Sequence, residues 1–332
     1  MDTSKAPNNR TISICEEEIS SLRSYITKFS EIGSFDFIDL IINEDLLCVI
    51  DNIPNSIADV IIIDPPYNLT KNFNGTTFFA RDEEQYEEYL RTWFHKVCQK
   101  LRPNGSVYLC GDWKCTSSLQ RVMSEELFIL NRITWQREKG RGAKTNWKNS
   151  MEDVWFGVKD PKNYYFNVEA VKLKRKVIAP YRVDGKPKDW EETENGNYRV
   201  TYPSNFWDDI SVPFWSMPEN TNHPTQKPEK LYAKFILASS KKGDVIFDPF
   251  MGSGTACVVA KKLGRHYIGV EINEEYCLWA AKRIRMAEKD ITIQGYYDGL
   301  FWERNSLPIQ RKQIKHPTDD TIDLFSTQYR VH

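Results

Sequence analysis

Apolar and polar residues alternate along the chain in blocks that repeat one theme, a short buried strand followed by an amphipathic helix. Phe37 to Ile42 reads as a buried strand, and Leu46 to Ile50 as a short helix ending near Pro54. Asp59-Val-Ile-Ile-Ile63 is β-branched and continuously apolar, which predicts a central parallel strand covered on both faces. It stops at Asp64-Pro65-Pro66-Tyr67. Tyr86, Leu90, Trp93, Val97 and Leu101 recur at helical spacing, and Arg102-Pro103-Asn104-Gly105 ends that helix. Ser106 to Cys110 predicts the next strand. Ile129 to Trp135 and Asp153 to Val158 predict two more, separated by the basic stretch Arg137 to Lys148.

Periodicity fades between Asp160 and Trp215, where Lys, Arg, Tyr and Trp intermingle, and then resumes. A helix follows Pro228, with Leu231, Phe235 and Ala238 on one face. Next come the strand Asp244 to Phe247, a glycine turn, a helix to about Leu263, the strand His266 to Val270, and a helix that Asn273 caps and that runs to about Ala287. Strands alternating with helices imply an α/β fold with a doubly wound parallel, Rossmann-like sheet. The expected organisation is an N-terminal extension outside the core (1–34), a first half of the sheet (35–159), an insertion (160–215, with 137–148 contributing), a second half (216–290) and a C-terminal tail (291–332).

Composition narrows the class. The 332 residues, 40% hydrophobic and 27% charged, suit a globular chain with a sizeable core. No run approaches the roughly 18 apolar residues of a membrane span, and Met1 to Arg10 lacks the apolar core of a signal peptide, so a cytoplasmic protein with no membrane partner is expected. Seven cysteines contain no CxxC pair, which leaves neither a metal site nor a disulfide framework to expect. Net charge is −1, yet Leu130 to Trp190 holds 15 Lys or Arg against 7 Asp or Glu. Such a basic segment on an otherwise acidic chain suits a phosphate-facing surface; a merely solvated lysine-rich face is the alternative.

Two strand ends carry the candidate chemistry, because ligands of open α/β sheets bind outside the carboxyl ends of the strands. In Asp248-Pro249-Phe250-Met251-Gly252-Ser253-Gly254-Thr255 the glycines let backbone approach a ligand at a helix N-terminus, and Glu271 ends the next strand, where it can accept from ribose hydroxyls. The turn lacks the full G-x-G-x-x-G spacing, which weakens a nicotinamide or flavin reading. At Asp64-Pro65-Pro66-Tyr67 a carboxylate and the Pro65 carbonyl, held rigid by two prolines, can accept both N–H bonds of an exocyclic amino group, and Tyr67 offers a ring for an extruded base.

With both motifs placed, the chain resembles the DNA amino-methyltransferases in their permuted β group. There the D/S/N-P-P-Y motif precedes the F-x-G-x-G motif and the recognition region lies between them. Asn222-His223-Pro224-Thr225-Gln226-Lys227-Pro228 matches a third family segment, H-P-T-Q-K-P, and the resemblance covers Phe37 to Ala287. It implies a circularly permuted methyltransferase sheet with an inserted target-recognition region, and S-adenosylmethionine as cofactor. It places Asp248, Phe250, Gly252, Ser253 and Gly254 along the methionine and ribose, Glu271 on the ribose, and His223, Thr225 and Lys227 on the methionine carboxylate side. Asp45 falls where the family often has Gly-Asp-Cys, although Glu44 replaces the glycine and a helix N-terminal acid would read the same way. Asp64, Pro65, Pro66 and Tyr67 become the catalytic loop.

The basic stretch assigns Arg137, Lys139, Arg141, Lys144 and Lys148 to double-stranded DNA, without separating phosphate grip from base readout. Where many members carry His-Glu, this chain has Met151-Glu152, so no histidine is given a role there. Asp64 is typical of adenine-N6 enzymes and serine of cytosine-N4 enzymes; N4-cytosine transfer is the alternative, and a catalytically silent DNA-binding protein the alternative of another class. C5-cytosine chemistry needs a thiolate nucleophile, and no Pro-Cys dipeptide exists. The resemblance further implies a bacterial or archaeal cell and a restriction-modification or epigenetic setting. A cognate restriction endonuclease and a homodimer stay open as partners.

Overall fold

A computed structural model describes residues 6–28, 37–73, 76–141, 144–177, 181–193 and 196–304. A nine-stranded sheet runs through the molecule in the spatial order Ile26–Thr27, Leu40–Asn43, His266–Glu271, Val245–Asp248, Ala58–Ile63, Leu101–Gly111, Asn149–Val158, Phe128–Arg141 and Phe206–Trp207. The first six are parallel neighbours. All six residues of Ala58–Ile63 are buried, as its unbroken apolar run requires of a strand covered on both faces.

Side chains alternate across that strand. Val60 and Ile62 join the core under the helices Glu229–Ser239, Thr255–Lys262 and Glu274–Ala287, and Ile61 and Ile63 the core under Glu83–Lys100 and Thr116–Glu126. The long helix Glu83–Lys100 starts where the Asp82 carboxylate accepts from the Gln85 N–H at 2.8 Å, and it buries Tyr86, Leu90, Trp93 and Val97. Helix Thr116–Glu126 has no counterpart in the sequence reading; its exposed Ser, Gln and Glu mask the stripe Leu119, Val122 and Met123.

Three features differ from expectation. The sheet is mixed: Asn149–Val158 lies antiparallel to both Leu101–Gly111 and Phe128–Arg141. A parallel return needs a crossover of a dozen or more residues, usually helical, and the seven residues between Arg141 and Asn149 allow only a hairpin. The described part of the N-terminal extension belongs to the core. Leu22 is fully buried, Ile26–Thr27 pairs with Ile41–Ile42, and Glu18 binds Lys282 and Arg285 at 2.6 Å each. The tail, as far as Arg304, is joined to the insertion. Leu173–Lys176, Glu191–Thr193, Gly196–Thr201, Tyr296–Tyr297 and Leu300–Trp302 form one five-stranded sheet in which Phe301 pairs with Leu173 and Trp302 with Lys174. Residues 1–5, 29–34 and 305–332 of those segments lie outside the described residues.

The burial of Leu22 predicts that Leu22→Ala lowers unfolding free energy by about 2–5 kcal/mol. Urea titration measures it, and a neutral result would detach the N-terminal helix from the core.

Candidate active site

Asp64 follows directly on Ala58–Ile63, so the central strand sets its position. The Pro66 carbonyl accepts from the Tyr86 hydroxyl at 3.0 Å, which ties the proline loop to the long helix. Asp64 Oδ2 lies 2.6 Å from Lys227 Nζ. Asp64 Oδ1 is buried with no hydrogen-bond partner among the described residues. Lys227 Nζ is also 3.4 Å from Glu152 Oε2, to which the Tyr67 hydroxyl donates at 3.0 Å. Glu152 Oε1 takes Arg137 Nη1 at 2.9 Å. The ammonium stands 5.2 Å from the centre of the Tyr67 ring.

Lys227 therefore belongs to the carboxylate cluster around Asp64. Arg137, assigned to DNA on sequence, is engaged with Glu152 inside this cluster. Burial, the largest influence, pushes the Asp64 carboxyl upward against the opposing charge of Lys227. Burial also works against the charge on Lys227, yet Asp64 and Glu152 outweigh it and raise the ammonium above the usual lysine range. The geometry at 2.6 Å is that of an ion pair, so we take Lys227 as charged and Asp64 as its counterion.

The second strand end lies one strand away. Asp248 Oδ1 accepts the Phe250 N–H at 3.1 Å, and Glu271 accepts from Gly252 N–H at 3.0 Å and Asn273 N–H at 2.9 Å. Gly252 and Gly254 have φ of +51° and +77°, a region side chains avoid. A Cβ at Gly252 would sit 2.9 Å from His223 Nε2, and one at Gly254 2.5 Å from the Ala280 Cβ. Burial raises both acids, Asp248 well above its usual range.

His223 stacks edge-on against Tyr276 at 4.4 Å, and burial, with Lys227, Lys71 and Arg283 nearby, pushes it down to about 3, so its imidazole is neutral. Thr225 donates its N–H toward His223 Nδ1 at 3.4 Å, and the Phe250 ring meets Trp93 at 4.8 Å. Ser253 is buried, and its carbonyl accepts from Arg283 at 2.8 Å. Asp45 caps its helix by accepting from Leu47 N–H at 2.8 Å, at the end of the strand that pairs with His266–Glu271. Lys144 and Lys148 are exposed; the side chains of Lys139 and Arg141 lie outside the described residues.

Glu152 is the cluster residue that motif matching passed over, because its motif partner is Met151. The available signal was an acidic pair, Glu152-Asp153, set against the apolar run Val154–Val158.

A Rossmann-like sheet, a glycine turn at one strand end and a rigid carboxylate loop at the next define a methyltransferase fold directed at an amino nitrogen. The sequence pattern of the N6 and N4 methyltransferases, described as DNA methylase, matches residues 58–283, and the chain belongs to that family. It is 34% identical over 235 residues to the type II methyltransferase M.HpaI of Haemophilus parainfluenzae, covering 70% of each chain. It is 35% identical over 248 residues to the DNA adenine methyltransferase YhdJ of Escherichia coli strain K12, covering 74% of this chain and 83% of that one. Two solved structures share the fold. The M1.HpyAVI–SAM complex has 24% identity and a TM-score of 0.51, over 74% of this chain and 98% of that one. The cytosine-N4-specific PvuII DNA methyltransferase has 18% identity and a TM-score of 0.55, over 76% and 91%.

The segment from Glu219 to Pro228 that brings Lys227 to Asp64 carries its own titratable anchor. Glu219 accepts the Glu229 N–H at 2.7 Å, and its carbonyl accepts from Gln226 at 2.7 Å. Burial, then the charge of Glu229, raises Glu219 from the ordinary 4.5 to about 7. The folded protein thus keeps a proton that the unfolded chain loses near 4.5, so this contribution to stability is complete below that value and is lost as pH rises to about 7. Glu219→Gln should flatten the fall in denaturation midpoint across that window; parallel wild-type and variant curves would show that Glu219 does not titrate there.

Proposed function

We propose that the protein methylates N6 of adenine at a specific sequence in double-stranded DNA, with S-adenosylmethionine as methyl donor. DNA methyl transfer is the activity of the family, and the observation that carries the reading here is the buried, unpartnered Asp64 Oδ1 beside the proline-fixed backbone. The cofactor fits the second strand end: both glycines stand at positive φ, so the turn carries no side chain there, and the Asp248 and Glu271 carboxylates accept from its backbone N–H groups and flank it. Asp45, Asp248, Phe250, Gly252, Ser253, Gly254 and Glu271 would hold it, with His223 and Thr225 facing the turn from the loop. When bound, S-adenosylmethionine supplies an electrophilic methyl group.

The chain's own residues prepare the acceptor. An exocyclic amino nitrogen is a weak nucleophile because its lone pair is delocalised into the ring. Asp64 Oδ1 and the Pro65 carbonyl accept its two N–H bonds, which draws the nitrogen toward a tetrahedral shape and turns the lone pair outward. Tyr67, its hydroxyl held by Glu152, offers a ring for the extruded base.

Adenine is favoured by Asp64 as first motif residue and by the similarity to YhdJ, named a DNA adenine methyltransferase. A restriction-modification role is part of the proposal, in keeping with similarity to a protein named a type II methyltransferase, and a cognate endonuclease is its proposed partner. Among the described residues no helix is long and apolar enough to cross a membrane; a cytoplasmic location is part of the proposal. For DNA contact we propose the basic hairpin tip, where Lys144 and Lys148 are exposed and Trp147 is 93% exposed. Modified-base sequencing of DNA from expressing cells is the test: N6-methyladenine at one motif is expected, and N4-methylcytosine would replace the reading.

Asp64→Ala should abolish transfer while S-adenosylmethionine still binds. Gly252→Val, strained by φ and pressed on His223, should lose that binding in a folded protein. Calorimetry with a radiolabelled transfer assay separates the two, and an active Asp64→Ala would remove the assigned chemistry. Reversing Lys144 and Lys148 to Glu should weaken DNA binding and flatten its dependence on salt, because fewer counterions are released. Unchanged affinity across a salt titration would place the DNA elsewhere.

A further inference from the structure

The family segment would put Lys227 on the cofactor, but its ammonium is already committed. We infer that Lys227 and Glu152 are positioning residues of the transfer: Lys227 pins Asp64 through Oδ2 so that Oδ1 alone is presented to the target amino group, and Glu152 fixes Lys227 and Tyr67 together. This rests on the methyl-transfer reading above.

The arrangement is built rather than incidental. Lys227 and Glu152 side chains are 6% and 7% exposed, so neither swings freely into solvent. The Lys227 backbone is held as well, its carbonyl accepting from the Thr255 hydroxyl at 3.0 Å at the start of the helix after the glycine turn. A single ammonium reaches Asp64 Oδ2 at 2.6 Å and Glu152 Oε2 at 3.4 Å, and Arg137 closes the second carboxylate at 2.9 Å. Two carboxylates and two cations therefore balance in a buried cluster.

That balance matters because Asp64 must accept an N–H bond, and a protonated carboxyl would give up part of its acceptor capacity. Lysine has three donors and no acceptor, so Lys227 cannot take the amino hydrogens itself. What it can do is keep Asp64 ionised and stop the carboxylate from turning. With Oδ2 occupied and Oδ1 bare, one oxygen has one orientation. Glu152 acts at one remove from the reaction: its Oε2 receives the Tyr67 hydroxyl and faces the ammonium, so the ring platform and the carboxylate clamp share an anchor.

The test is the pH dependence of single-turnover methyl transfer, with cofactor and DNA affinities measured on the same proteins. Lys227→Met should slow transfer by about 10²–10³-fold. Its acid limb should move to higher pH by about one unit, since the buried Asp64 then lacks its counterion. Glu152→Gln should move the acid limb the other way, because a negative neighbour that raises Asp64 is gone. Lys227→Arg should recover part of the rate. Opposite pH shifts with affinities nearly unchanged are the signature expected of positioning.

The inference is overturned if Lys227→Met keeps the wild-type rate and pH profile, or loses cofactor affinity while its saturated rate stands. Glu152→Gln, equal in size to the native residue, carries the test alone if Lys227→Met does not fold; an unshifted acid limb there would also overturn it. Asp64→Ala run alongside separates the two levels. If it transfers normally the methyl-transfer reading falls, and if it is inactive while Lys227→Met and Glu152→Gln match wild type, only this inference falls.

Discussion

An ion pair withdrawn from water joins two parts of the chain 163 positions apart, Asp64 at the end of the central strand and Lys227 just before a helix. Burying two charges is costly, and the cost is offset only when geometry is good and further hydrogen bonds satisfy what remains. Glu152 supplies a second carboxylate to the Lys227 ammonium at 3.4 Å and is itself held by Arg137 and Tyr67, while Asp64 Oδ1 is left unsatisfied for the target. Removing one partner from such a pair typically costs about 3–5 kcal/mol, because the other is left buried and uncompensated. The pair is thus a constraint on the whole sheet: the strand bearing Asp64, the hairpin bearing Arg137 and Glu152, and the loop bearing Lys227 must all end at the same level.

That level is also where the glycine turn opens, since Val245–Asp248 is the immediate neighbour of Ala58–Ile63. Parallel neighbours end at the same edge, so a cofactor turn on one strand and a carboxylate loop on the next face a common cleft without any special device. The neutral His223 closes one side of the turn, packed between Gly252 and Tyr276.

Much of this was legible in the chain itself. Val60 to Ile63, the helical spacing of Tyr86, Leu90, Trp93 and Val97, and the positive-φ glycines each encode structure locally, through burial period or backbone freedom. What escaped depends on partners far away in sequence. Leu22 looks like one apolar residue in a polar segment until the helix it belongs to docks on Glu274–Ala287 through Glu18. The antiparallel run of Asn149–Val158 follows from a turn too short to cross over. Arg137 and Lys227 look in sequence like cations awaiting a ligand, because nothing near them announces Glu152. A charge declares its sign in the sequence and its counterion only in the fold.

Pairing of Leu300–Trp302 with Leu173–Lys176 reaches beyond architecture. The insertion is not a cassette bounded by its own two ends, since one of its inner strands is flanked by chain that arrives 128 positions later, the separation of the Arg175–Glu303 contact. An exchange of recognition segments between relatives would have to carry the 296–302 hairpin with it. Otherwise the transplanted strand would present an unpaired edge, with its row of backbone donors and acceptors open to association with another chain.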